Sequence, residues 1–499
     1  MKRLSIVMSM LLMAAVLFAA GQGEAARDQR KPVEIYMKAM GAAPQGLPAV
    51  VEALNKKLLA DINATIRIEH YTWSDWQNKY RLDLVSGEPI DVIYTATWAN
   101  FADYASDGAF VDVAPLLPNV APALWAGMPE DRWATATTAG GEIFAIPSMN
   151  FQPGITGMMY REDLRRKYDL APIRTLGDLE ALMYAVAENE PEMRGLGNAV
   201  LMMWGNQPFP YRVEFINNLL YIDNRNPRLP MQTPLDFREE LIEWASIVRG
   251  YYDAGLFSHD VLANITSPRA AEADFNIGLV PVCARNQGGY AQTKLALEAE
   301  NPDWEIGFLP SYLSGRGDVP KLKGVFQDAT AFPIAGRNTE RGLQFVELAL
   351  LDPDYHTLLI YGVEGEHYTR VDARSVQIPQ DTTFPDLGMW GLRNSALLFD
   401  RVGDEAGAII EKLERDAQSV VQPDHARDFI VFDMSPVQST IAALGVVNDE
   451  LFAPLRVGMY PVAEIPARVD AYLKALEDAG VRRVQEYVQQ YWAQYSSRL

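Results

Sequence analysis

Residues 90–101 hold the feature that most constrains this chain: a strand that ends and passes, with no spacer, into a polar and aromatic turn. Ile90–Tyr94 is a short apolar run with β-branched and aromatic residues, entered from a Gly-Glu-Pro turn, as in a buried strand of a parallel sheet. Thr95, Thr97, Trp98, Asn100 and Phe101 follow at once, then Phe101, Tyr104 and Ala105 on one helical face, with Gly108 placed to close the helix. Ligands in open α/β sheets bind beyond the carboxyl ends of the strands. Thr95–Asn100 is therefore the first place to look for a ligand, a plain βα turn being the alternative.

The preceding stretch repeats the pattern. Val33, Ile35 and Met37 alternate as a strand, and Leu47, Val50, Leu54, Leu58 and Ile62 recur at helical spacing. Ile66 and Ile68 give a second strand, which leads into HYTWSDWQNKY. Trp76 there reads as helix packing and Trp73 as part of a ligand-facing wall. This strand–helix–strand–helix order indicates α/β units with a parallel sheet, and 499 residues exceed one core and call for two or more lobes. The net charge of −21 argues against nucleic acid and anionic membrane surfaces. Lys2 and Arg3, the apolar run Leu4–Ala20 and the small residues after it have a signal-peptide layout, with cleavage expected after Ala20 or Ala25. A membrane anchor is the alternative, but the run is interrupted by Ser9 and is short for a span. The single cysteine, Cys283, excludes a disulfide within the chain and reads as a buried, inert thiol.

Further along, GEIFAIPSMNFQPGITGMMYREDL (141–164) reads as a strand ending at Pro147, an irregular crossing and a new strand near Gly157. Thr175 and Asp178 make a capping-box pattern, and Thr233 and Pro234 open a helix carrying Phe237, Leu241, Trp244, Val248 and Tyr251. In LMMWGNQPFPYR (201–212), Trp204 and Tyr211 either stack on a ligand or fill the lobe. Two amphipathic helices near the C-terminus, marked by Val469, Leu473 and Leu476 and by Val484, Val488 and Tyr491, meet at Gly480. The five histidines form no zinc-type spacing, and there is no G-x-S-x-G elbow, Walker A loop, G-x-G-x-x-G or calcium loop. The 65 acidic residues leave room for a glycosidase carboxylate pair, but no spacing supports one.

Several blocks in order resemble the extracytoplasmic solute-binding proteins of ABC importers, in the carbohydrate-binding group that includes maltose-binding protein. They are sG-x-x-x-D-v-i followed by F-x-x-Y-x-x-x-G-a-f at 86–110, G-x-x-y-a-i-P at 141–147, the F-x-x-G and apolar strand of 267–290, and WEIGFLP at 304–310. GVEGEHY (362–368), WGLRN (390–394) and the tail from FIVFDMSPVQSTIAALGVV onward resemble a lipoprotein-type subgroup with a C-terminal extension.

The resemblance implies an α/β, two-lobed periplasmic binding protein-like fold with parallel-type sheets flanked by helices, a hinge between the lobes and a helical C-terminal extension. It implies a signal peptide at 1–25, lobe 1 from 27–148 plus 326–356, and lobe 2 from 149–325 plus 357–499, with the extension from about 400. Asn150, Phe151 and Gln152 are expected at the hinge facing the cleft, and Arg285, Asn286, Gln287 and Tyr290 in the cleft. Trp73, Trp98, Asn100, Trp204, Glu364, His367, Trp390 and Asn394 complete the expected ligand contacts. The expected ligand is a sugar or oligosaccharide, the partners are ABC permease membrane subunits, and the protein is a monomer without cofactor, metal or catalysis. The absence of a cysteine near residue 21 points to a soluble exported protein rather than a lipid-anchored one. The rivals are a secreted carbohydrate-active enzyme and a sensory or scaffold binding protein.

Overall fold

In the computed structural model the chain is described over residues 31–138, 140–193, 212–215, 219–223, 226–257, 268–313, 321–322, 324–384, 389–421, 429–431 and 433–497. The first units are β1 (Val33–Met40), α1 (Leu47–Asp61), β2 (Ala64–Tyr71), α2 (Trp76–Ser86), β3 (Val92–Thr95) and α3 (Phe101–Ser106), followed by β4 (Ala145–Pro147). Next come β5 (Thr156–Arg161), α4 (Leu176–Asn189), α5 (Arg238–Asp253), β6 (Val282–Asn286), α6 (Gln287–Glu300), β7 (Ile306–Pro310) and β8 (Ala329–Ala331). The chain then forms α7 (Thr339–Leu351), α8 (Pro353–Tyr361), α9 (Glu405–Gln418), α10 (Gln438–Val447), α11 (Ile465–Ala479) and α12 (Val481–Ser496).

The first sheet has the order β2-β1-β3-β8-β4. β1 lies parallel to β2 and β3, but β8 is antiparallel to both β3 and β4. The second sheet, β7-β5-β6, is antiparallel at both pairings. The expectation of parallel-type sheets is thus corrected: the first sheet is mixed and the second antiparallel. The cause is connectivity: β8 brings the chain back from the second lobe, so it enters at the end where β3 leaves and must run against it.

Local signals set the elements. Thr175 and Asp178 cap α4 reciprocally, with Asp178 N–H donating to Thr175 Oγ1 at 3.3 Å and Thr175 N–H to Asp178 Oδ2 at 2.8 Å. Asp91, 2% exposed, ties β3 to its neighbours: one carboxylate oxygen accepts from Tyr36 N–H (2.9 Å), and the other from Arg337 and Asn338 N–H (2.7 Å each). One carboxylate thereby links β1, β3 and the entry to α7.

One hydrophobic core gathers β1–β4, β8, α1, α7 and α8 and continues through Tyr368, Val376, Phe384, Met389 and Leu392. The expected start of the second lobe at residue 357 therefore differs from the packing. Leu359, Ile360 and Tyr361 are buried in the first core, and Tyr355 Oη donates to Asp61 at the end of α1 (2.8 Å). The second core joins α4 and α5 to α10, α11 and α12. Phe452 stacks on Trp244 of α5 (5.6 Å) and on Tyr472 of α11 (5.1 Å), while Trp492, 1% exposed, donates through Nε1 to Leu229 O at 3.2 Å. The C-terminal helices are thus a structural layer of the second lobe.

Asp91→Ala leaves three backbone N–H groups without their acceptor. At roughly 1–3 kcal/mol for each buried unpaired donor, chemical denaturation should show a loss of at least about 3 kcal/mol. Cys283 is 1% exposed, and burial pushes its thiol up to about 12. A thiol reagent at pH 8 should therefore react only after unfolding. Because the folded value lies above the unfolded one, the thiol's contribution to stability is lost as pH rises above about 8.5.

Candidate ligand-binding site

β1, β2 and β3 run in one direction, and the segments leaving their carboxyl ends converge. Trp73 follows β2, Trp98 follows β3, and Trp390 arrives from a short turn at Trp390–Leu392 packed against β8. The ring of Trp73 lies 6.0 Å from that of Trp98 and 5.7 Å from that of Trp390, at interplanar angles of 34° and 32°. The three indoles make a continuous aromatic surface, and Trp73 is 39% exposed on it. Trp76 meets Trp98 edge-on at 5.3 Å and 81° and supports it from the side.

Polar bonds hold the platform in place. Trp98 Nε1 donates to Gln327 O at 3.2 Å, and Tyr94 Oη donates to Asp328 Oδ1 at 2.8 Å. Tyr94 lies 5.8 Å from Trp98 and 6.0 Å from Trp390, so it joins the two rings. Burial, reinforced by the Asp328 charge, raises the Tyr94 phenol well above its usual range and keeps it a neutral donor. Trp390 depends on the residue after it. A Cβ on Gly391 would stand 2.5 Å from Ala329 O, so a larger residue would push the turn off β8.

Beside the platform, the first crossing presents Phe151, 37% exposed, with the Arg132 guanidinium 4.5 Å from its ring centroid. Asn150 is 1% exposed; its Oδ1 accepts from Gln152 N–H at 3.3 Å and its Nδ2 has no hydrogen-bond partner among the described residues. Asn100 is exposed, in left-handed backbone at the entry to α3. Across the crossings, Thr156 pairs in register with Asn286 and lies 3.4 Å from Ser311, which brings these residues together at one end of the second sheet. Asn286 is exposed, and its Oδ1 caps α6 by accepting from Gly289 N–H at 2.7 Å. Arg285 is held by Glu272 through two bonds of 2.8 and 2.6 Å.

Other expected contacts have structural duties instead. Gln287 is 8% exposed and uses both ends of its amide, accepting from Ile155 N–H (3.0 Å) and donating to Pro153 O (3.1 Å). Tyr290 stacks on Phe308 at 4.5 Å and 15°, within a core. His367 is 0% exposed; its Nδ1 accepts from Val363 N–H at 2.9 Å, and its ring packs against Phe384 and over Gly46. Asn394 is 5% exposed, donating through Nδ2 to Leu350 O (2.8 Å) and accepting at Oδ1 from Ala396 N–H (3.0 Å). Glu364 belongs to the turn closed by the Glu364–Tyr368 bridge, 4.0 Å from Arg370. Trp204 lies outside the described residues. The sequence reading missed Tyr94, Gln327 and Asp328: Tyr94 read as plain strand core, and only the strand pairing places Gln327 and Asp328 at this mouth.

Residues 429–497 match a domain of unknown function, DUF3502. Over 497 residues, covering 94% of this chain and 95% of the relative, the sequence is 21% identical to a carbohydrate ABC transporter substrate-binding protein of Streptococcus pneumoniae serotype 4. The fold matches the N-glycan transport solute binding protein NgtS of Streptococcus pneumoniae, solved in complex with Man1GlcNAc, at a TM-score of 0.65 and 17% identity over 93% of this chain and 100% of that one. It also matches an HMO binding ABC-transporter associated solute binding protein of Bifidobacterium longum infantis at a TM-score of 0.66 and 16% identity, over 93% and 99% of the two chains. The chain thus has the two-lobed fold of solute-binding proteins along nearly its whole length.

His367→Ala empties a core position and should cost about 2–5 kcal/mol in denaturant unfolding. Trp73→Ala removes a ring at the surface and should change stability by about 1 kcal/mol or less.

Proposed function

We propose that this chain is the extracytoplasmic substrate-binding component of an ABC importer, which captures a sugar or oligosaccharide between its lobes and delivers it to a membrane permease. The observation that carries this reading is the three-indole platform of Trp73, Trp98 and Trp390 at the carboxyl ends of the first sheet's strands. The apolar C–H face of a pyranose packs on such rings, while nearby amides and hydroxyls bond its edge. Asn150, Gln152, Asn286 and Thr156 would supply that edge from both lobes, and Phe151 would add a further apolar contact. The names of the relatives, matched along nearly the whole chain, support the same ligand class. The role assigned to the protein is capture without chemistry, as a soluble exported monomer.

The test is a thermal-shift screen against neutral and N-acetylated oligosaccharides. A ligand at 100 times its Kd should stabilise the folded form by about 2.7 kcal/mol and raise the melting midpoint accordingly. Trp73→Ala should weaken that ligand by roughly tenfold or more, at about 1.4 kcal/mol per decade, and His367→Ala should leave its affinity unchanged. Failure of every sugar to raise the midpoint, or glycosidic turnover by the purified protein, would overturn the proposal.

A further inference from the structure

Trp73 and Trp98 each follow a strand directly, but the place of Trp390 depends on what holds residues 390–395. Near the start of that segment, Gly391 O accepts from Thr330 Oγ1 on β8 at 3.3 Å. Near its end, Arg393 O accepts from Met149 N–H at 2.9 Å, and Asn394 Nδ2 donates to Leu350 O at 2.8 Å. The backbone N–H of Asn394 has a different kind of partner: it donates to Nε2 of His356, on α8, at 3.0 Å. Asn394 is 5% exposed and His356 0%, so water has no access to take over this bond.

A ring nitrogen accepts only through its lone pair, so His356 here is neutral, with its proton on Nδ1. Protonation at Nε2 would set one N–H against another and leave the buried Asn394 N–H without an acceptor. Of the charged groups that flank the ring, Asp352 caps α8 by accepting from Asp354 and Tyr355 N–H at 2.8 and 3.2 Å. On α1, Lys57 pairs with Asp354 at 3.3 Å, and Asp61 accepts from Tyr355 Oη at 2.8 Å. Glu347 on α7 accepts from Leu124 N–H at 2.8 Å, and Arg393 adjoins Asn394 on the segment itself. Of these side-chain types, only an imidazole ordinarily changes its charge between pH 5 and 8.

We infer that His356 is a positioning residue for the sugar platform: its neutral ring holds the Asn394 backbone, that backbone fixes the turn carrying Trp390, and mild acid therefore loosens Trp390 and lowers sugar affinity. This rests on the proposed reading of the three indoles as a sugar surface.

The full chain is labelled with 5-fluorotryptophan, and its Trp390 fluorine signal is assigned with Trp390→Phe. Without sugar, lowering the pH from 7.5 to 5 should move the Trp390 signal in a single titration step and leave that of Trp492, in the second core, in place. Over the same range, calorimetry should show affinity for the oligosaccharide that most raises the melting midpoint falling by roughly fivefold or more. In His356→Gln the amide oxygen can accept from Asn394 N–H at every pH, so signal and affinity should both keep their pH 7.5 values throughout. A variant signal or affinity that still changes with pH as in the native chain would overturn the proposal. So would a Trp390 signal already displaced in this variant at pH 7.5, since the ring would then only fill space. A Trp390 signal that titrates through His356 while sugar affinity stays constant, or while no sugar binds, would uphold the hold on Trp390 and overturn the reading of its ring as sugar-binding. If His356→Gln does not fold, His70→Gln decides by removing the histidine near the end of β2. A Trp390 titration that survives this change supports His356, and one that it abolishes overturns the proposal.

Discussion

Where the chain returns from the second lobe, Gln327 and Asp328 become the base of the binding platform, and most of the architecture depends on that junction. Gln327 O takes the Trp98 indole N–H, and Asp328 takes the Tyr94 hydroxyl while its own carbonyl accepts from Ser148 N–H on the first crossing at 3.0 Å. Ala329 then enters the sheet between β3 and β4. Two residues therefore join the ring surface, the first-lobe sheet and two of the segments between the lobes. A buried carboxyl group needs committed hydrogen-bond partners, and one of those of Asp328 is the residue that supports two of the indoles.

What could be read from the sequence follows the range of the forces involved. Helix periodicity, the α4 capping box and the turn at Gly480 are local and show in the residues themselves. Trp73 and Trp98 were legible for a similar reason, because each follows directly the strand that positions it. Trp390 was reached only through family resemblance. Its partners lie hundreds of positions earlier in the chain, and no spacing predicts that its turn docks on β8. His367, Gln287, Tyr290 and Asn394 show the opposite limit. Polar and aromatic residues look alike in sequence whether they meet a ligand or complete a core, and only the long-range contacts of Gly46, Pro153, Phe308 and Leu350 separate the two cases.

The lobe boundary failed to show for a related reason. α8 has an apolar face, and an apolar face does not state which core it will join. Tyr355 and Lys57 tie α8 to the first lobe through Asp61 and Asp354, contacts between positions far apart in the chain. The returning strand could be read at Ala329–Ile334, but its antiparallel direction could not, since Ala329–Ala331 carries the same residue types that a parallel strand would.

The order in which the two cores can be completed is also unequal. Among the described residues the first core draws on none beyond 430, so it can assemble while the chain is still being synthesised. The second contains Val488 and Trp492, whose rings and side chains close over residues made some 250 positions earlier. Its early helices must therefore wait with apolar faces uncovered until synthesis is nearly finished. That makes the second lobe the part of the nascent chain most in need of a holding chaperone, and the part most sensitive to a premature stop.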